Sequence, residues 1–294
     1  MSRPIPMLHE SRPRLPAWFK VELRHGPDYQ EIRRLTQDLN LHTICEEARC
    51  PNVWECWNNR TATFLILGDI CTRRCHYCAV TTGRPLPLDE EEPERVAAAI
   101  KTLGLRHAVI TSVNRDELPD GGARIFAETI RAIRRELPTC TVEVLIPDFL
   151  GDLAALAAVV GEGPEILNHN IETVRHLFPT VRPQGKYDRS LTLLDRAKRL
   201  GAMTKSGLIV GMGETAEEVR EVMRDLRAVG CDIMTIGQYL QPTKQHLPVA
   251  RFYHPDEFTA FKAEGKALGF SHVESGPLVR SSYHAEQQAC APPA

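Results

Sequence analysis

The stretch Thr63-Phe-Leu-Ile-Leu-Gly68-Asp-Ile-Cys71-Thr-Arg-Arg-Cys75-His-Tyr-Cys78 joins a short apolar run to a loop with three cysteines at CxxxCxxC spacing. The run is β-rich and ends on a glycine, so it reads as a strand, and the cysteines follow its C-terminal end. Similar runs recur at His107 to Ser112, Thr141 to Ile146, Glu165 to Asn170, Lys205 to Val210 and Asp232 to Gly237, with a further candidate near Ser271 to Glu274. Helical stripes separate them. Val96, Ile100 and Leu103 form one, Phe126, Ile130, Ile133 and Leu137 another, and Val219, Val222, Met223, Leu226 and Val229 a third. Gly104, Gly161, Gly201, Gly230 and Gly269 stand where such helices should stop.

This alternation predicts an α/β fold with a parallel sheet, and about six units suggest a partial (βα)6 TIM-like barrel. An open doubly wound sheet has the same local pattern. Either architecture gathers chemistry at the C-terminal ends of its strands. Residues 1–60 lack the rhythm and hold Pro4, Pro6, Pro13, Pro16 and Pro27, so they read as an N-terminal extension. The barrel is expected over 61–275, and 276–294 form a C-terminal tail.

The 294 residues are 43% hydrophobic, which excludes a disordered chain. Lys plus Arg number 36 against 38 Asp plus Glu, a net charge of −2, so no global positive field collects nucleic acid or anionic membrane. The first sixteen residues hold no continuous apolar core, and no stretch approaches the ~18 apolar residues of a span. The expectation is a cytoplasmic protein with neither nucleic acid nor membrane as partner. Nine cysteines would suit a disulfide scaffold in a short secreted chain. In this chain six of them crowd between Cys45 and Cys78, which points to metal or thiol chemistry instead.

Three thiolates at CxxxCxxC spacing can hold three corners of an iron–sulfur cube and leave its fourth iron open. Zinc also takes thiolates, but a structural zinc site normally wants four ligands in two close pairs. Upstream, Cys45-Glu-Glu-Ala-Arg-Cys50-Pro-Asn-Val-Trp-Glu-Cys56 offers another trio at Cx4Cx5C spacing, so a second cluster is expected. Cys140 and Cys231 read as core thiols and Cys290 as a tail residue. The acidic run Glu90-Glu91-Glu92 is expected to favour a helix N-terminus.

The Cys71–Cys78 loop resembles the signature of the radical S-adenosylmethionine superfamily. His42-Thr-Ile-Cys-Glu-Glu-Ala-Arg-Cys-Pro-Asn-Val-Trp-Glu-Cys-Trp57 is similar to the auxiliary-cluster motif of lipoyl synthases. Further blocks resemble that family in order: Thr111 to Ala123, Asn168-His-Asn-Ile-Glu-Thr173, Lys205 to Glu214, Gly237 to Thr243 and Gly276 to Ala285. Asn114 stands where the family usually has Asp.

The resemblance implies two [4Fe–4S] clusters, on Cys71, Cys75 and Cys78 and on Cys45, Cys50 and Cys56, with S-adenosylmethionine on the first. It places Tyr77 near adenine and Asp120, Gly121 and Gly122 near the methionine amino group, where Asp120 could equally serve as a helix N-cap. Asn170 and Glu172 become cofactor contacts, and the Gly211-Met-Gly213-Glu214 turn faces adenosine. Ser282 becomes the fourth ligand of the auxiliary cluster, and Arg280 a catalytic residue that shields or charge-pairs it. The implied reaction is radical insertion of sulfur at carbons 6 and 8 of an octanoyl chain on a lysine of a lipoyl carrier domain. That carrier would be a 2-oxoacid dehydrogenase E2 component or the glycine cleavage H protein, with ferredoxin or flavodoxin as electron donor. Two other readings are an RNA methylthiotransferase, which would be expected to carry a basic RNA-binding segment, and a zinc-stabilised binding module.

Overall fold

The computed structural model of the chain describes residues 14–20 and 26–288; Cys290 lies outside them. Seven parallel strands form one sheet: β1 Thr63–Ile66, β2 His107–Ser112, β3 Thr141–Leu145, β4 Ile166–Asn168, β5 Thr204–Val210, β6 Ile233–Gln238 and β7 His272–Gly276. Between them run α1 Glu92–Leu103, α2 Ala123–Glu136, α3 Leu153–Val160, α4 Tyr187–Arg199, α5 Ala216–Ala228 and α6 Pro255–Ala267. Each strand lies beside the next one in the chain. A doubly wound sheet reverses its order at a switch point; this one never does, so the sheet winds in one direction as a partial barrel. The expected six strands become seven because the run near Ser271 is a true edge strand.

The helices end as their glycines dictate, with one exception. Gly104, Gly201, Gly230 and Gly269 take left-handed φ of 60°, 91°, 76° and 92°, a region open to glycine at little cost. Gly161 stays right-handed after α3, and Gly163 makes the turn at φ 65°. Glu92 does more than complement a helix dipole: its buried carboxylate accepts the Leu67 N–H at 2.6 Å and so ties α1 to the end of β1. Glu90 pairs with Arg124 of α2 instead.

The N-terminal segment shares the barrel's core. Tyr29, on the helix Pro27–Asp38, stacks on Trp54 at 4.5 Å and leans on the fully buried Trp57, both from the helix Val53–Asn58. His42–Thr43 pairs antiparallel with β1 and covers that sheet edge. At the other side the tail after β7 turns inward. Gly237 makes this possible, since a Cβ there would sit 2.0 Å from the Val279 carbonyl oxygen. Asn52 Nδ2 donates to Leu278 O at 2.6 Å, and Ala285 and Gln288 are fully buried. The open seam of the barrel is therefore bridged by the upstream cysteine segment and the tail.

Inside the barrel a polar cluster replaces aliphatic filling. Lys205 Nζ meets both Glu143 oxygens at 2.9 and 3.0 Å with neither side chain exposed, and Asn168 Nδ2 donates to Glu143 Oε1 at 3.1 Å. Burial works against charge on Glu143, but Lys205 and the neighbouring His107 outweigh it and hold its carboxyl below the usual range. Removing one member of a buried pair leaves an unmatched charge. Lys205→Met should cost about 3–5 kcal/mol, and Lys205→Met with Glu143→Leu should recover most of it. The check is the urea midpoint of the two variants; equal loss in both would show that the pair is not what matters.

His169, just past β4, is also buried. Nδ1 lies 2.9 Å from Ile146 O and Nε2 2.9 Å from Ser190 Oγ on α4, so the neutral ring donates to the carbonyl and accepts from the hydroxyl. Burial, with Arg182 nearby, pushes its pKa down from 6.5 to about 4. Between those values the unfolded chain binds a proton that the native ring refuses, so stability is present above pH 6.5 and is withdrawn as pH falls toward 4. The group should remove about 3 kcal/mol over that window. His169→Gln should flatten the pH slope of the unfolding midpoint there, and an unchanged slope would refute the assignment.

Candidate active site

The cysteine loop leaves the end of β1 and has no regular structure of its own beyond a two-residue pairing of Ile70–Cys71 with Thr81–Thr82. Its position comes from Arg73. The guanidinium, 1% exposed, donates to Asp116 Oδ2 at 2.7 Å and Oδ1 at 2.8 Å, and to Asp148 Oδ1 at 2.6 Å. Asp116 follows β2 and Asp148 follows β3, where Arg189 of α4 holds its other oxygen at 3.0 Å. Burial works against charge on Arg73, but the two carboxylates raise its pKa, and Arg73 in turn drives the Asp148 carboxyl well below the usual range despite its burial. Backbone bonds complete the frame: Thr72 N to Asn114 O, His76 N to Val181 O and Leu247 N to His76 O, each 3.0 Å.

A cavity of about 270 Å³ opens at the C-terminal strand ends, lined by Cys71, Cys75 and Cys78 together with Cys45 and Cys50. Val80, Val113, Leu145, Ile146 and Leu208 give it an apolar wall. Tyr77, Asn170 and Glu172 line it as well, and sequence reasoning missed Arg182 beside them. Arg182 is buried and donates to Asn170 O at 2.9 Å. Asn170 Nδ2 donates to Glu172 Oε1 at 3.1 Å, and the Tyr77 hydroxyl also reaches that carboxyl. Burial raises the Glu172 pKa, with Arg182, Asn170 and Tyr77 offsetting part of the rise. Glu172 adopts φ 69°, held by Glu172 N to Gly207 O and Ile209 N to Glu172 O, both 2.9 Å. A non-glycine residue in that region carries strain that the two bonds to β5 hold in place.

Five polar atoms of lining residues are buried without a hydrogen-bond partner: Arg73 Nη1, Ser112 Oγ, Asn114 Oδ1, Asn170 Oδ1 and Arg182 Nε. Buried polar atoms are almost always satisfied. A ligand with amino, carboxylate, hydroxyl and purine groups over an apolar wall would satisfy this set, which fits S-adenosylmethionine. Cys71 Sγ already accepts from Asn114 N at 3.3 Å, so the residue where family members usually have Asp faces the first thiol. Among the described residues no three His, Cys, Asp or Glu side chains stand close enough to share one metal ion. The donor set is three thiols without a fourth protein ligand, the set that serves the corners of a cube.

The upstream trio assembles around the start of β1. The pairing of Thr43 with Phe64 sets Thr63 beside the helix Ile44–Glu47 that carries Cys45, and Thr63 Oγ1 donates to Ser282 Oγ at 2.9 Å. Ser281, Ser282 and Arg280 from the tail line the same cavity. Burial pushes the Cys45 thiol up to about 12, with Cys50 adding to it; burial also raises Cys50, and Arg280 partly offsets that. Cys56 is raised by burial, then by Cys45, Cys50, Glu55 and Glu286. These thiols would give up protons on ligating iron.

Two expected sites lie elsewhere. Asp120, Gly121 and Gly122 do not line the cavity. Asp120 gives its two oxygens to the N–H groups of Gly122 and Arg124, at 2.9 and 2.8 Å, at the entry of α2. Gly122, at φ 90°, lets that entry close on β1, since a Cβ would come within 2.3 Å of Leu67. Gly211 to Glu214 is a turn in which Glu214 accepts the N–H of Met212 at 3.0 Å while Gly211 O accepts from Ala250 N at 2.8 Å, and none of its residues lines the cavity.

Among the described residues no helix is long and apolar enough to cross a membrane. The family model for the radical SAM superfamily matches residues 65–226, and that for the N-terminal domain of lipoyl synthase matches residues 4–50. The chain is 64% identical over 275 residues to lipoyl synthase of Rubrobacter xylanophilus, covering 93% of this chain and 86% of the relative. It is 60% identical over 278 residues to lipoyl synthase of Symbiobacterium thermophilum, covering 94% and 87%. Among solved structures, methylornithine synthase (PylB) superposes with TM-score 0.56 at 16% identity over 85% of this chain and 83% of that one. The [FeFe]-hydrogenase maturase HydG superposes with TM-score 0.55 at 15% identity over 78% and 61%; these two likenesses concern the fold. The chain belongs to the lipoyl synthase family of radical SAM enzymes, which use a [4Fe–4S] cluster with S-adenosylmethionine to insert sulfur.

Proposed function

We propose that the chain inserts sulfur at carbons 6 and 8 of an octanoyl group on a lysine of a lipoyl carrier domain, using two [4Fe–4S] clusters. The observation that carries this reading is that thiols of both cysteine sets border one cavity. Cys71, Cys75 and Cys78 would hold one cluster, and Cys45, Cys50, Cys56 and Ser282 the other. When bound, the first supplies the electron that cleaves S-adenosylmethionine to a 5′-deoxyadenosyl radical, and the second supplies sulfide. The carrier would be a 2-oxoacid dehydrogenase E2 component or the glycine cleavage H protein, and a ferredoxin or flavodoxin the electron donor.

The residues' own work follows from their chemistry. Asn170 and Arg182 would bind and orient S-adenosylmethionine through their unsatisfied Oδ1 and Nε atoms, with Tyr77 and Glu172 lining the same cavity. The apolar wall excludes water and confines the acyl chain, because an unconfined primary radical attacks the nearest C–H bond. Ser282 offers a hard oxygen, a poorer match for iron than thiolate, so it would release its iron readily. Arg280 beside Cys50 puts a cation next to an anionic donor set.

Cys75→Ala should abolish both 5′-deoxyadenosine and lipoyl product, because two thiolates cannot hold the open-iron cluster. Cys50→Ala should still release 5′-deoxyadenosine but form no carbon–sulfur bond. Both are read by mass spectrometry after incubation with an octanoyl-lysyl peptide, S-adenosylmethionine and a reductant. Product at the wild-type rate from Cys50→Ala would move the sulfur source elsewhere.

Ser282→Ala should keep radical generation and impair sulfur insertion. Ser282→Cys, with its tighter thiolate, should slow the release of iron and with it product formation. Ser281→Ala is the control. If it fails while Ser282→Ala behaves as wild type, the ligand is Ser281.

A further inference from the structure

We infer that Thr63 is a positioning residue for the upstream cluster: it holds Ser282 in register with Cys45, and so governs how firmly the serine-ligated iron is kept. The inference rests on the reading of Ser282 as that cluster's fourth ligand. Thr63 is the first residue of β1 and is buried. Its hydroxyl donates to Ser282 Oγ at 2.9 Å, and the pairing of Thr43 with Phe64 sets it beside the helix Ile44–Glu47 that carries Cys45. Ser282 lies 219 positions beyond Thr63 in the chain.

The tail needs such a fastening. Ser282 lies in a turn between β7 and the four-residue helix Ala285–Gln288, and no strand or long helix fixes its side chain. The neighbouring tail contacts, Tyr283 Oη and His284 Nε2 with the Glu55 carboxylate, lie at the surface. Exposed contacts of that kind contribute little. The Thr63 bond is the contact that runs from the serine oxygen itself to a rigid strand. A hydroxyl oxygen has two lone pairs. One can accept from Thr63 while the other remains for a metal, so the bond orients the oxygen without occupying it as a ligand. A ligand held in place costs less entropy to bind than one that must be ordered first.

Thr63→Val keeps shape and backbone N–H and removes the hydroxyl, while Thr63→Ser retains it. Both are read in protein carrying Cys71→Ala, Cys75→Ala and Cys78→Ala, in which cluster iron belongs to the upstream site. The measurement is the rate of chelator-driven loss of one iron, followed by absorbance and by the electron paramagnetic resonance signal of the three-iron product. Loss of one oriented hydrogen bond should speed this about fivefold. Thr63→Ser should match the parent, and Thr63→Val should add nothing in a Ser282→Ala background. If Ser282→Ala speeds the loss and Thr63→Val does not, the inference is overturned and the ligand reading stands. If Ser282→Ala leaves the rate unchanged, the ligand reading fails and takes the inference with it. Should neither Thr63→Val nor Thr63→Ala assemble a cluster where Ser282→Ala does, Thr63 serves the fold and not the serine, which also overturns it.

Discussion

A guanidinium buried between two carboxylates fixes the place of the cysteine loop proposed to carry the radical chemistry. The eight-residue segment Cys71–Cys78 is too irregular to hold three thiols at the corners of a cluster by itself. Arg73, two residues after the first cysteine, binds Asp116 and Asp148 at once. Those aspartates end two consecutive βα strands, and Asp148 is gripped again by Arg189 from α4. The loop is thus referenced to a rigid part of the barrel before any metal arrives. A bidentate arginine suits this task, because its planar fork fixes direction as well as distance.

Strand β1 extends that logic to the other cysteine set. Its first residue bonds Ser282 and lies beside the helix that carries Cys45, and the chain leaving its last residues becomes the Cys71 loop. Four residues of strand span roughly 13 Å, so one short rigid element relates the two sets. The extension and the tail meet across the open seam of the barrel, where Asn52 donates to Leu278 O. A partial barrel without that seam would have no opening through which both termini could reach the cavity.

The fold was legible in the sequence because each βα unit carries a local signal: an apolar run, a helical stripe and a glycine stop. The cysteine loop's place at a strand end was legible for the same reason. The direction of winding was not, since periodicity is identical in singly and doubly wound sheets; strand order decides it. Asp120-Gly121-Gly122 is ambiguous because glycines permit both a close cofactor approach and a tight helix entry, and the bonds seen are those of the entry. Arg73, Arg182 and Thr63 gave no sequence signal as site residues. Their partners lie far along the chain, 75 residues for Arg73 with Asp148 and 219 for Thr63 with Ser282, and no spacing rule reaches so far.

The two thiol sets also differ in which arginines and carboxylates lie nearest to them. After burial, the charges acting on Cys75 are led by Arg182, and Arg73 adds to it against Glu172. Cys56 faces Glu55 and Glu286 in addition to the other two thiols, and every one of these raises the cost of its negative charge. Arg280 offsets that cost at Cys50. A cluster bound by thiolates is anionic, and in a low-dielectric site nearby charges of either sign act strongly on it. In the Cys71–Cys78 set two arginines act at Cys75, while at Cys78 the other two thiols and Glu172 all raise the cost of charge. The set flanked by carboxylates, with one arginine and a serine oxygen on a tail, is suited to a cluster that gives up its sulfur.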